Sequence, residues 1–332
     1  MKKKAALFSM ILFLVALMAV SGQTTKTKLM KVSHNQQPTH PVNVALESFK
    51  KEVEQRTNGS IAVKIFPSAT LGDDNTNMDQ VSLGAIESAI TMGALGNLVI
   101  GSKDPLSMFE ELPFLFPDAT AARKAWDGPI GERYIELGAK HGLKVLSHWE
   151  NGFRNMTNNV RPIVRPEDMK GIKFRIAPSE IRQVLFKTLN ATAIPMAFAE
   201  LFTGLQQGTV QGQENPLSII QTAKFFEVQK YLSLSRHIYN TATFYVSPAW
   251  FNSLTKNEQT IIQEASEHAR DYMRKMNDEY EATALSFLES KGMKINKVDS
   301  EAFAKASEPV WKYFIAKFPD AQELIDLARG VK

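Results

Sequence analysis

The sequence predicts an α/β protein of two lobes with one long helix spanning both, and three observations carry that reading. Short runs of alternating apolar residues interleave with helical periodicities between residues 29 and 92, the same interleaving returns between 173 and 213, and 256–291 contains neither proline nor glycine. Strands that alternate with helices imply sheets with parallel strands covered by helices. A helix over 256–291 would be about 54 Å long at 1.5 Å per residue, more than the width of one domain of this size. With 332 residues, the chain suffices for two domains of ordinary size.

The elements follow in order. Leu29 to Ser33 reads as a strand. Pro41 to Thr57 reads as a helix, with Ala45, Phe49 and Val53 on one stripe, Pro41 suited to its first turn and Gly59 to its stop. Ile61 to Phe66 alternates as a strand, Asn75 to Leu83 forms a second helix and Ala85 to Met92 a third strand. Lys144 to Trp149 is another strand, and a charged, proline-punctuated connector covers Arg161 to Lys170. Strands at Lys173–Ala177, Ala193–Met196 and Val210–Gln213 then alternate with helices at Ser179–Leu189 and Phe198–Gln207. Tyr231–Ser235 and Thr241–Ser247 are expected to return the chain to the first lobe. Thr255-Lys-Asn-Glu258 is a capping box opening the long helix, whose expected buried face holds Ile261, Ala265, Ala269, Tyr272, Met276 and Tyr280. A short strand, Met293 to Val298, and two helices complete the chain. The expected division is 23–150 with 241–280 for lobe I and 151–240 with 281–332 for lobe II.

Residues 1–22 have the layout of a cleavable export signal: Lys2, Lys3 and Lys4, an apolar run from Ala5 to Val20, and Ala19-Val20-Ser21 as a small-x-small site. As a membrane anchor that run falls short of about 20 residues. The basic balance, 39 Lys and Arg against 35 Asp and Glu, becomes 36 against 35 without the three leader lysines. Nothing then points to nucleic acid, since no basic cluster with interleaved aromatics remains. The absence of cysteine excludes disulfides, thiolate metal sites, a cysteine nucleophile and a lipid-modified N-terminus. No Gly-x-Ser-x-Gly elbow, His-Glu-x-x-His, phosphate loop or dinucleotide fingerprint is present, and the six histidines lack metal-ligand spacing.

The densest region runs from Gly152 to Pro216. Arg175 lies in an alternating run, Ile172 to Ala177, on the opposite face from Phe174 and Ile176. Arginine suits a carboxylate because its planar fork makes two parallel charge-assisted hydrogen bonds and stays ionised. The plainer reading is a surface ion pair. Arg154 follows Gly152-Phe153, and its plainer reading is an ion pair with Glu150 or Glu167. Asn215 before Pro216 has the look of a helix N-cap followed by an N1 proline.

Gly-Phe-Arg154-x-x-Thr-Asn, Pro-Glu-Asp-Met-Lys-Gly-Ile-Lys-Phe-Arg175, Pro-Met-Ala-Phe198-x-Glu-Leu and Gly-Gln-Glu-Asn215-Pro, in that order, resemble the solute-binding proteins of tripartite ATP-independent periplasmic (TRAP) transporters, of the DctP type. The resemblance covers nearly all of the chain after the leader. It implies a periplasmic-binding-protein-like fold in which the long helix braces both lobes. It also implies an extracytoplasmic receptor, periplasmic and expected to be monomeric, that binds a small carboxylate without a cofactor and delivers it to an integral-membrane permease. By the same resemblance Arg175 pairs with the ligand carboxylate, Arg154 and Asn215 contact the ligand and Phe198 covers it, core packing being the alternative for Phe198. Glu200 would order the local network. Asp74 and the backbone from Met92 to Ala94 would line the opposite wall, with His34 and Asn35 near it; for His34 an ordinary loop role is the alternative. Relatives that bind sialic acid carry an acid where Met92 falls, which implies a less hydroxylated solute here. The solute stays open among C4-dicarboxylates, sugar acids and other hydroxy or keto acids. Two rival readings are an exported enzyme acting on small acids and the receptor of an ATP-driven transporter.

Overall fold

The computed structural model describes residues 27–93 and 103–330. The expected leader and Ala94 lie outside them. In chain order the elements are β1 (Lys28–Ser33), α1 (Pro41–Arg56), β2 (Ile61–Phe66), α2 (Asp74–Ser82), β3 (Ser88–Met92), α3 (Leu106–Phe109), α4 (Ala119–Trp126), α5 (Pro129–Lys140), β4 (Lys144–Phe153) and β5 (Asn155–Asn158). There follow β6 (Lys173–Ile176), α6 (Glu180–Thr188), β7 (Thr192–Pro195), α7 (Phe198–Gln206), β8 (Gly212–Asn215), α8 (Leu217–Thr222), β9 (Tyr231–Leu234) and β10 (Tyr239–Val246). The chain closes with α9 (Pro248–Asn252), α10 (Lys256–Ser290), β11 (Lys294–Lys297), α11 (Ser300–Ala306), α12 (Glu308–Lys317) and α13 (Gln322–Arg329).

Two sheets define the two lobes. The first has the order β2-β1-β3-β10-β4 and the second β11-β9-β5-β8-β6-β7. In the first, β1 pairs in parallel with β2 and β3, while β10 runs antiparallel between β3 and β4. In the second, β8 is parallel to β6 and antiparallel to β5. The chain changes sheets at Arg154, between β4 and β5, and returns between Leu234 and Tyr239. The two crossings are joined where the Arg154 N–H donates to the Ile238 carbonyl at 2.9 Å. Gly152, at φ +106°, supplies the backbone bend just before the first crossing. Gly212 has a packing reason: a Cβ there would stand 2.7 Å from both the Phe174 ring and the Thr157 carbonyl, closing the space between β5 and β6.

The long helix α10 spans both lobes. Ile262, Ala265, Ala269 and Met273 join Val32, Phe49, Trp149 and Phe244 in the core of the first lobe. Ala284 and Leu288 join Leu205, Ile220 and Leu232 in that of the second. Its buried face differs from the expected stripe, since Tyr272 is 43% exposed and Met273 is fully buried. The expected stripe takes a step of three residues after Ala269, whereas the buried face goes on by four, through Met273 to Asn277. A third cluster joins the lobes: Phe303, Phe314 and Ile325 from the C-terminal helices pack with Trp126 and Tyr134 of the first lobe and Phe174 and Ile181 of the second.

The strand expected at Tyr231–Ser235 does not return the chain to the first lobe: β9 pairs with β5 and β11 in the second sheet, and β10 alone makes the return. Other differences are local. The segment 103–140 forms three helices that carried no clear signal, β4 continues through Phe153, and Asn155–Asn158 is a further strand. The strand expected at Val210–Gln213 lies two residues later, and the C-terminus carries three helices rather than two. No helix among the described residues is long and apolar enough to cross a membrane.

Candidate functional site

Between the lobes lies a cavity of about 90 Å³, room for several water-sized volumes of roughly 10–15 Å³ each. From the first lobe its wall includes Asn35, Asp74 and Met92, and from the second Arg175, Pro178 and Phe198. Five of the eight residues singled out from sequence therefore share one cavity: Arg175, Phe198, Asp74, Met92 and Asn35.

Arg175 stands in the middle of β6, paired with Gln213 of β8 on one side and Ile194 of β7 on the other. It is only 3% exposed. Its Nε donates to the Met196 carbonyl at 2.9 Å, and its guanidinium carbon lies 5.9 Å from the centre of the Phe198 ring. Among the described residues no carboxylate forms an ion pair with it. Burial, then the neighbouring Arg154 charge, pulls its pKa down to about 9, with Glu214 and Asp74 opposing. The group is still a cation at neutral pH. Phe198 is the first residue of α7 and half-buried, meeting Phe225 edge-on at 6.1 Å. It both lines the cavity and packs on Phe225. Glu200, expected to order this neighbourhood, is exposed.

On the facing wall, Asp74 opens α2. Its Oδ2 accepts from Asn35 Nδ2 at 2.8 Å, and Asn35 Oδ1 in turn accepts from Gln36 Nε2 at 2.7 Å. Burial and the adjacent Asp73 push the Asp74 carboxyl up to about 7, against the pull of Arg175, the Met92 N–H and Asn35.

Arg154, Asn215 and His34 are outside the cavity lining. Arg154 is buried and bound to Glu214, through Nε to Oε2 and through Nη2 to Oε1 at 3.0 Å. The sequence alternatives for its partner, Glu150 and Glu167, are not used: Glu150 accepts from Arg123 Nη2 at 2.9 Å. Arg154 Nη2 also donates to Asn215 Oδ1 at 3.0 Å. Asn215 is the last residue of β8 rather than a helix cap, and α8 starts after Pro216 with no side-chain cap. The reason is competition: the Asn215 amide is already satisfied by Arg154 and Gln213, and its backbone is in register with Asn155. His34 is fully buried, its Nδ1 accepting from the Gln36 N–H at 3.2 Å, so that Nε2 donates to Asn43 Oδ1 at 3.1 Å. Burial lowers its pKa to about 4, which keeps it neutral.

The buried polar network behind Arg175 was largely hidden in the sequence. Arg182 of α6 binds Glu111 through two nitrogens, Glu214 Oε1 at 3.0 Å and Asn240 Oδ1 at 2.8 Å. Glu111 lies 71 residues from Arg182, and no local pattern joins them. Glu214 alone had a signal, its place in Gly-Gln-Glu-Asn-Pro. Burial would raise its pKa, but Arg154 and Arg182 hold the carboxyl well below the usual range. Among the described residues there is no cluster of three or more acidic or histidine side chains able to hold a metal.

The model of bacterial extracellular solute-binding protein family 7 matches residues 32–317. The chain belongs to this family. Its 2,3-diketo-L-gulonate-binding periplasmic relative in Escherichia coli K12 is 32% identical over 95% of this chain and 95% of its own. A TRAP periplasmic solute binding protein from Polaromonas sp. JS666, bound to D-erythronate, superimposes with a TM-score of 0.85 at 35% identity, covering 92% of this chain and 99% of its own. The sugar acid binding protein of Advenella mimigardefordensis, in complex with galactonate, gives 0.86 at 33% identity over 92% and 99%. Family 7 receptors of this kind are the solute-binding components of TRAP systems, and the two-lobed architecture with its long helix is theirs.

Proposed function

We propose that this protein is the periplasmic receptor of a TRAP transport system, that it holds a small organic acid between its lobes with Arg175 on the carboxylate, and that it delivers the acid to an integral-membrane permease. Arg175 carries the reading. Arg154 and Arg182 each have a carboxylate partner, whereas Arg175 is buried at the cavity wall and, among the described residues, has only its Nε engaged in a hydrogen bond. An uncompensated buried cation is costly, and a ligand carboxylate supplies both the missing charge and acceptors for the fork. Sugar acids are the solutes of several relatives, which supports a hydroxy or keto acid over other anions.

In this proposal Phe198, Met92 and Asn35 shape the pocket. Arg154 and Asn215 act from behind, holding β8 and the charge balance beside Arg175, and His34 holds the loop that carries Asn35. The lobes follow the expected division, 23–150 with 241–280 and 151–240 with 281–332, with the crossings moved to Arg154 and to the stretch between Leu234 and Tyr239, and they close on the solute as a monomer. The leader expected over 1–22 delivers it to the periplasm. Binding needs no cofactor and no chemical step, so the acid is recovered unchanged.

A thermal-shift screen of organic acids finds the ligand, since one at 100 times its Kd stabilises by about 2.7 kcal/mol. Calorimetry on Arg175→Lys is expected to show weaker binding with an intact fold, the charge being kept and the fork lost. Arg175→Ala is expected to lose about 2–5 kcal/mol, roughly 30-fold or more in affinity. A folded Arg175→Ala protein that binds as tightly as the parent overturns the proposal.

A further inference from the structure

Asn151 lies on β4 just before the chain changes sheets at Arg154. In the pairing of β4 with β10, Thr241 faces Glu150 and Asn240 faces Gly152, so Asn151 is the extra residue of a β-bulge. It is 1% exposed, and neither its Nδ2 nor its Oδ1 has a hydrogen-bond partner among the described residues. An amide buried with both ends unpaired is rare in folded proteins and costs stability, a cost that a leucine of similar size would avoid. Its neighbours come from both lobes. Asn151 lines a cavity of about 30 Å³ with Tyr239 of the first sheet, Asn277 and Glu281 of α10, and Pro216 and Ser218 at the start of α8. α8 belongs to the second lobe, where Leu217, Ile219 and Ile220 pack into the core. Asn277 is engaged on one side only, its Nδ2 donating to the Glu150 carbonyl at 2.9 Å and its Oδ1 unpartnered.

The lobes are shut in this structure, since Arg175 on one wall of the solute cavity and Thr91 on the other are 3% and 2% exposed. The unpaired amide is therefore a feature of the closed form. A rotation of the lobes moves Pro216 and Ser218 relative to Asn151, reshapes the small cavity between them and lets water reach the amide. We infer that Asn151 is a hinge residue that works against closure: its amide gives up its hydrogen bonds when the lobes shut and regains them from water when they open, which weakens solute binding and speeds release. The inference rests on the reading that the lobes close on a solute. Affinity in such a receptor combines the contacts made in the closed form with the free energy of closing, so a group that opposes closing lowers affinity without touching the solute.

Asn151→Leu, which keeps the size and removes both polar atoms, tests this, with Asn151→Ala as a second variant and thermal melting to confirm folding. The first readout needs no solute. The chain has no cysteine of its own, so spin labels at Leu83→Cys on the first lobe and Lys187→Cys on the second, both exposed positions, report the distance between the lobes. Both Asn151 variants are expected to shift the ligand-free distances toward the separation in this structure. The second readout is solute release: with D-erythronate and D-galactonate as probes, dissociation from Asn151→Leu is expected to slow by about tenfold, with a matching gain in affinity. Unchanged lobe distances overturn the inference, whether or not the melting temperature moves. Faster release from Asn151→Leu also overturns it, since that result means that the amide is satisfied in the closed form. The anchor is judged apart: Arg175→Ala acts on the binding of the two acids, whereas the label distances of the ligand-free Asn151 variants decide the hinge even where neither acid binds.

Discussion

Glu214 is the residue on which the buried charge balance turns. It sits between two guanidiniums, Arg154 and Arg182, and is completely buried. Replacing it with glutamine leaves both cations without their shared anion, and breaking a buried pair in this way costs about 3–5 kcal/mol. Chemical denaturation of Glu214→Gln is therefore expected to show a large loss of stability, whereas an effect below about 1 kcal/mol would mean that Glu111 and the neighbouring amides hold the arginines without it. At this scale the sequence is readable only where a motif marks a residue. Arg175 and Glu214 stood inside ordered motifs, Asp74 and Met92 followed from the family resemblance, and Asn35 from its place just after the first strand. Arg182 looked like any polar residue of an amphipathic helix, because its partners come from distant segments and from the folded topology alone.

The start of α10 shows the same dependence on local pattern at the level of an element. The expected capping box is present, with Thr255 Oγ1 accepting from the Glu258 N–H at 3.2 Å and Glu258 Oε2 accepting from the Thr255 N–H at 2.8 Å. What the pattern could not reveal is that Glu258 also accepts from Lys28 Nζ at 2.8 Å and Ser60 Oγ at 2.9 Å, tying the helix to the edge of the first sheet. Burial works against ionisation there, but Lys28, Thr255 and Ser60 outweigh it and lower the pKa to about 2. A folded-state pKa below the unfolded one contributes stability that is present above about pH 4.5 and is lost as pH falls toward 2. Glu258→Gln should destabilise the protein at pH 7 by about 1 kcal/mol and lessen the loss of stability between pH 4.5 and 2, measured by urea titration. Equal pH profiles for parent and variant would contradict this. The helices of 103–140 escaped detection for the opposite reason. Pro105, Pro113, Pro117, Gly128 and Pro129 cut that segment into pieces too short to show a period.

For the whole molecule, two sets of buried groups pull stability in opposite directions with pH. Burial lowers His34 and His148 to about 4 and His40 to about 3, and these histidines take up protons more readily when unfolded. Their contribution is present above about pH 6.5 and is lost as pH falls toward 4 and below. Burial raises Asp74 to about 7 and Glu110 to about 8, so their contribution is present at low pH and is lost as pH rises through those values. His237 is lowered by burial as well and Glu281 raised, so four histidines outweigh three acids below about pH 6.5 and the acids act above it, which places the stability maximum of the ligand-free protein near that pH. Denaturant titrations from pH 4.5 to 8.5 should find it there, and stability rising steadily up to pH 8.5 would refute the balance. Two lobes and a spanning helix were legible in the alternation of elements; which strand sits between which was not, because register is set by contacts far apart in the chain. The central place of β10 in the first sheet has a consequence for biosynthesis. That strand ends at Val246, and until it has emerged from the ribosome β3 and β4 have no partner between them. The N-terminal lobe cannot mature ahead of the rest, as successive domains commonly do during translation. Both lobes must instead complete late and together, through contacts of long sequence separation, and such chains are slow to fold.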